Sequence, residues 1–160
     1  HTKSVQIIFN MLRLKPAEEF FNLAKDKGVA IIVRVPLASG LLTGKMNSNS
    51  TFPENDHRNY NINGDAFDVG ETFSGVDFNT ALKVVDELKS ITPEGFSLSQ
   101  LALKWILMHD AVSVIIPGAK NSDQALSNIS ASSLPDISNL MKQIENIYAT
   151  YLKDDIHPRW

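Results

Sequence analysis

Residues 29–45 read Val29-Ala30-Ile31-Ile32-Val33-Arg34-Val35-Pro36-Leu37-Ala38-Ser39-Gly40-Leu41-Leu42-Thr43-Gly44-Lys45. Val29–Val33 is continuously apolar and rich in β-branched residues, the composition of a strand buried on both faces in a parallel sheet. Pro36 has no N–H to give to a ladder and ends the strand. Before this strand, Pro16 opens a helix where its missing N–H costs little. Ala17, Phe20, Phe21 and Ala24 recur at helical spacing. Glu18 and Glu19 in the first turn and Lys25 and Lys27 in the last suit the helix dipole. Gly28 follows as the left-handed residue that closes the helix. Earlier still, Val5–Phe9 reads as a short strand. Strand, helix and strand at this spacing make a βα unit.

Towards the C-terminus, the stretch from Leu37 to Val76 is loop-like, rich in Gly, Asn, Asp and Ser. A loop this long in a compact domain is functional or mobile as a rule. Phe78, Ala81, Leu82, Val85 and Leu88 form the stripe of one helix. Ser97 caps the next, with Gln100 completing a capping box and Leu98, Leu101, Ala102, Trp105 and Ile106 inward. Val112–Ile116 is a third strand, broken by Pro117-Gly118. Ser122 caps a short helix bearing Gln124, Ala125, Leu126 and Asn128. A last helix runs from about Ser138 to Leu152, with Leu140, Ile144, Ile147, Tyr148 and Tyr151 inward. The pattern is α/β, with parallel strands and helices outside, in one domain over residues 1–160. Three such strands do not close a barrel. Both sheet edges should stay open, with Ile31, Val33 and Val114 on an interior face that the chain does not enclose.

The net charge of -3 gives no general attraction to nucleic acid or to anionic membranes. No cysteine is present, which excludes disulfides, Cys-ligated zinc and thiol nucleophiles and fits a cytoplasmic protein. The longest apolar stretch, Val29 to Leu42, is interrupted by Arg34, Pro36 and Gly40 and is too short to span a bilayer. The chain starts at His1 with no initiator Met and no signal-like segment, as expected of an excised, cleaved or truncated product. His1, His57, His109 and His157 lack any metal-site spacing, so no metal is expected. Tyr148 and Tyr151 lie on a core stripe and read as packing residues rather than proton donors.

In closed parallel barrels, phosphates bind at the loops after the last strands and at a short helix N-terminus. Two segments suit that role: Arg34 to Lys45, and Ile116 to Gln124 running on to Asn128. Their glycines, Gly118 among them, let backbone approach a ligand closely. Lys45 and Lys120 stand where each could meet a phosphate, and the N–H groups after Ser122 form a positive helix end. Gln124 and Asn128, four apart, share a helix face suited to the edge of a base. Taken singly, the lysines read more often as solvated charges, Gln124 and Asn128 can be a polar face and Ser122 a cap only, and Arg34 reads equally well as a residue snorkelling from a rim.

Here a resemblance adds to the reading. Residues 36–45, "PLASGLLTGK", look like the strand-seven loop of the aldo/keto reductase superfamily. Residues 115–120, "IIPGAK", followed by Gln124 and Asn128, resemble its strand-eight cofactor motif. "VQIIFN" (5–10) resembles its strand six, "FPENDHRNYN" (52–61) a long loop of some branches, and "HPRW" (157–160) a natural end. The resemblance implies the C-terminal part of a (β/α)8 TIM barrel that binds NADP (NADPH). It implies that Gln6 bonds the nicotinamide carboxamide, that Arg34 stacks on the ring, and that Pro36, Leu37 and Ser39 cover the pyrophosphate. It further implies that Lys45 and Arg58 reach cofactor phosphates, that Lys120 lies near the adenosine 2′-phosphate, and that Gln124 and Asn128 contact the adenine. Val35 replaces the family's usual serine. The family's catalytic tetrad belongs to the N-terminal half, so no catalytic residue is assigned within this chain. The implied complete protein reduces aldehydes or ketones by hydride transfer, with this chain alone inactive and needing an N-terminal half or self-association. The alternative is an NADP-holding regulatory subunit like the potassium-channel β-subunit branch.

Overall fold

The computed structural model describes residues 1–159, so the last residue of the "HPRW" motif lies outside the described residues. Three strands, β1 (Ser4–Ile8), β2 (Ala30–Arg34) and β3 (Val112–Ile115), form one parallel sheet in the order β1-β2-β3. All three lie within one residue of their expected positions. Val5 stands opposite Ile31 and Ile7 opposite Val33. Ile32 stands opposite Val114, after a register shift between Ile31 and Ile32. Among the described residues, β1 and β3 each pair only with β2, so both outer edges are open as expected.

The helices cover one face of this sheet. Helix α1 (Phe20–Asp26) does not start at Pro16: a 3₁₀ turn at Lys15–Ala17 comes first, and Glu19, with φ -121°, separates the two. Gly28 ends α1 at φ +62°, as expected. A short α2 (His57–Tyr60) follows, then α3 (Phe78–Ser90), capped by Asp77, and α4 (Leu98–Leu107), which carries the reciprocal Ser97–Gln100 capping box. Helix α5 (Ser122–Ser130) is capped by Asn121 and not by Ser122; the Asn121 side chain accepts from the Gln124 N–H at 2.9 Å. In α6 (Ser138–Tyr151), Leu140, Ile144 and Tyr148 are buried, but Tyr151 is exposed and its hydroxyl meets Glu87. The turn α7 (Lys153–Ile156) closes the helical layer.

Strand parity corrects one expectation. Ile31 and Val33 are fully buried in the core between sheet and helices, with Phe9, Leu101, Trp105 and Ile106. Side chains alternate along a strand, so Gln6, Ile32, Arg34 and Val114 share the opposite face, where Val114 is 43% exposed. The interior-type face therefore holds Val114 but not Ile31 or Val33. The continuous apolar run Val29–Val33 lacks the alternation that would have revealed its parity. The segment 37–76 is not a loose loop either. Asn61, fully buried, donates to Thr72 Oγ1 at 3.1 Å and accepts from the Ala66 and Phe67 N–H groups, each at 2.9 Å.

His109 sits among aromatic rings, 4.7 Å from Trp105, 4.9 Å from Phe9 and 6.0 Å from Phe21 between centroids. Its Nε2 and the indole N–H of Trp105 are buried without a hydrogen-bond partner among the described residues. Burial therefore lowers the His109 pKa below its ordinary value of 6.5, with Glu145 and Asp110 opposing. A depressed histidine favours the folded state only while neutral. Its contribution is complete above the unfolded value and is lost as pH falls towards the folded one. Chemical denaturation should accordingly show stability falling between about pH 7 and pH 5, by at most ~1.4 kcal/mol per pH unit for this one proton. His109→Gln should flatten that slope.

Candidate functional site

Parallel strands deliver their C-terminal ends to one edge of the sheet, so the segments after Ile8, Arg34 and Ile115 emerge side by side. Asn10 organises them. It is fully buried, and its Nδ2 donates to the Val35 carbonyl at 2.9 Å and to Ser74 Oγ at 2.8 Å. Its Oδ1 accepts from the Leu12 N–H at 2.9 Å. Asn10 ends the 5–10 motif, and no role for it follows from the sequence. The signal was a lone amide side chain closing an apolar strand.

The two segments that Asn10 joins are unusual. Val35, Ala38 and Ser39 have φ of 52°, 47° and 55°, and Phe73 and Ser74 have 52° and 58°. Left-handed backbone at a residue with a Cβ costs about 1–3 kcal/mol each and persists only where neighbours impose it. Here the neighbours are polar. Arg34 ion-pairs through Nη1 with the Glu71 carboxylate. Ser39 Oγ donates to the Glu71 carbonyl at 3.1 Å and accepts from the Phe73 N–H at 3.1 Å. The 3₁₀ turns Val69–Glu71 and Phe73–Gly75 are thereby held against the loop that follows β2.

The expected site residues divide into three places. Arg34, Ser39 and Arg58 gather around the first loop. Arg58 packs over the Phe52 ring at 4.5 Å, and its Nη1 lies 3.8 Å from where a Cβ on Gly40 would stand. Asp56 grips it through Nε at 2.9 Å and Nη2 at 2.6 Å, and these bonds hold the Asp56 carboxyl well below the usual carboxylate range. Pro36 is buried and Leu37 packs on the core, so both shape the loop from beneath. Lys45 is exposed at the loop's end.

Gly118, Lys120, Gln124 and Asn128 form the second place. Gln124 Oε1 accepts from the Lys120 N–H at 2.8 Å, and Asn128 Nδ2 donates to the Gly118 carbonyl at 3.2 Å. Both side chains thus fasten the loop after β3 to α5. Gln6 stands apart, exposed on the uncovered sheet face that it shares with Arg34.

Ser39, His57 and Asp56 line up in the order of a nucleophile, base and acid, with 3.4 Å from Oγ to Nε2 and 3.6 Å from Nδ1 to the carboxylate. The Ser39 hydroxyl proton goes to Glu71, however, and Arg58 engages the Asp56 carboxylate, so no acyl-transfer relay is assembled. Removing the amide that joins the two strained segments is the more telling change. Asn10→Leu leaves the Ser74 hydroxyl and the Leu12 N–H without their partner, while the Val35 carbonyl keeps the bond it accepts from the Ala38 N–H at 3.1 Å. At about 1–3 kcal/mol per buried unsatisfied group, urea denaturation should show a loss of at least ~2 kcal/mol.

The aldo/keto reductase family pattern matches residues 2–149. The chain is 29% identical over 161 residues to the aldo-keto reductase YhdN of Bacillus subtilis, covering 98% of this chain and 45% of that protein. It is 33% identical over 129 residues to a probable voltage-gated potassium channel subunit beta of Arabidopsis thaliana, covering 77% of this chain and 36% of that protein. Its fold matches that of a glycerol dehydrogenase from Gluconobacter oxydans, with a TM-score of 0.73 and 24% identity over 93% of this chain and 43% of the other. The holo form of an aldo-keto reductase from Bacillus halodurans gives a TM-score of 0.64 at 23% identity, over 90% and 42% of the two chains. The chain thus spans less than half the length of each of these four proteins. Family pattern, relatives and fold agree: this chain belongs to the aldo/keto reductase family, and its three-stranded sheet is part of that family's barrel.

Proposed function

We propose that the chain, as one partial-barrel domain over residues 1–160, is the NADP(H)-binding half of an aldo/keto reductase-type oxidoreductase, running from the barrel's sixth strand to its C-terminus. The complete protein reduces aldehydes or ketones. The observation that carries this reading is the emergence of the two candidate phosphate loops side by side from neighbouring parallel strands, each with an exposed lysine, Lys45 and Lys120.

The residues fit a dinucleotide phosphate in their donor chemistry. Nothing lies within 4 Å of where a Cβ on Gly118 would stand, so backbone is open to close approach there. Lys120 would meet the 2′-phosphate and Lys45 and Arg58 the other phosphates, as charge-assisted contacts. Gln124 and Asn128 use one amide atom each to fasten the loop, which leaves the other for adenine. Pro36, Leu37 and Ser39 shape the pyrophosphate loop, and Gln6 would bond the nicotinamide carboxamide. Arg34 would lie against the ring, once free of Glu71. The bound cofactor supplies the hydride; the proton donor would come from the half of the barrel that carries the tetrad. That half, or a second copy, is the expected partner, and the cytoplasm the expected location. The relationship to a probable channel β-subunit supports a second reading, in which the assembled protein holds NADP as a regulatory subunit.

Three outcomes test this. Lys120→Ala should weaken NADPH binding about tenfold or more, the worth of one charge-assisted contact, and leave NADH binding nearly unchanged in fluorescence titrations; equal loss for both would remove Lys120 from the 2′-phosphate. The pure 160-residue chain should show no steady NADPH oxidation with a reactive aldehyde, since general acid catalysis alone contributes about 10²–10⁴-fold. Light scattering at several concentrations should show association, because open edges invite pairing; a concentration-independent monomer with a cooperative melt would refute the half-barrel reading.

A further inference from the structure

We propose that Glu71 is the pin of a self-blocking strap: residues 69–75 occupy the loop groups that a nicotinamide nucleotide needs, and nucleotide and strap compete for them. This rests on the cofactor reading above. Arg34, the residue assigned to the ring, is instead ion-paired with Glu71. Ser39, assigned to the pyrophosphate loop, has its hydroxyl engaged twice by the same strap, through the Glu71 carbonyl and the Phe73 N–H. A ligand using both residues must displace both sets of contacts.

The strap is built to come off locally. The Arg34 and Glu71 side chains remain 35% and 26% exposed, so a competing anion can reach the pair. Ala38 and Ser39 beneath the strap are held in left-handed conformations, a strain that persists only where neighbouring contacts such as those of Glu71 impose it. The strap's far end is tethered independently, with Asn10 holding Ser74 and Arg159 reaching the Gly75 carbonyl at 3.4 Å. Thr72 and Phe73 are buried, and Asn61 holds Thr72, so release moves the Glu71 side chain and its own peptide and leaves the rest seated. It also leaves the planar Arg34 guanidinium free to stack on a ring.

The test uses the full chain with Glu71→Gln and, as the charge-keeping control, Glu71→Asp. Two quantities are read: NADPH affinity by fluorescence titration, and amide hydrogen exchange, which reports local opening. Glu71→Gln should tighten NADPH binding about tenfold and speed exchange at the Phe73 amide by a similar factor, with β2 amides unchanged; Glu71→Asp should stay near the parent in both. Unchanged or weaker NADPH binding in Glu71→Gln, when the parent binds, overturns the proposal. So does exchange that rises equally throughout β2, since Glu71 would then hold the fold as a whole. If neither parent nor variant binds NADPH, the cofactor reading fails and this proposal falls with it, whereas a parent that binds without tightening in Glu71→Gln overturns the strap alone.

Discussion

A single buried amide fixes how the working edge of this sheet is arranged. In a parallel sheet, ladder hydrogen bonds stop at the strand ends, and nothing in the ladder relates one outgoing segment to the next. Asn10 supplies that relation with three bonds to segments separated by as many as 64 residues. Its burial raises the cost of losing those bonds, because the Ser74 hydroxyl and the Leu12 N–H would otherwise be desolvated and unpaired. The left-handed turns at 35–39 and 73–74 take their mutual position from it, and with them the placement of Arg34, Ser39 and Glu71.

The cations around this edge fall into two physical kinds. Arg34 and Arg58 are each held by a carboxylate, from Glu71 and Asp56, and are oriented before any ligand arrives. Lys45 and Lys120 are exposed on flexible stems. Oriented guanidiniums lose little freedom on meeting an anion, but they must first exchange partners. Solvated lysines meet it freely, yet give up more side-chain entropy. A phosphate ligand spanning both kinds would find its selectivity at the first and its speed of capture at the second.

Much of the architecture was legible locally. The strands, the Ser97–Gln100 capping box and the left-handed Gly28 are short-range features, and short-range sequence states them. What escaped was long-range or degenerate. The side of the sheet to which Ile31 and Val33 belong could not be read from an unbroken apolar run. Asn121 rather than Ser122 caps α5, since adjacent residues of equal capping ability are separated only by backbone geometry. The order within 37–76 comes from Asn61 and from Glu71, whose partner Arg34 lies 37 residues away. Within the site, Lys45, Lys120, Gln124 and Asn128 were visible as types at suggestive spacings. The engagement of Arg34 and of the Ser39 hydroxyl by one distant strap was not, because no periodicity encodes a contact between two loops.

Strand order in this sheet equals chain order, so its two open edges are different surfaces: one is the flank of β1, the other the flank of β3. Two copies related by a two-fold axis would have to join like edge to like edge, which runs the facing strands antiparallel. Keeping every strand parallel requires β3 of one copy to meet β1 of the next. That contact is head-to-tail, and each addition repeats the same rotation. Stoichiometry then becomes a matter of angle: if the rotation divides a full turn evenly the copies close into a ring, and if it does not they wind into an open filament.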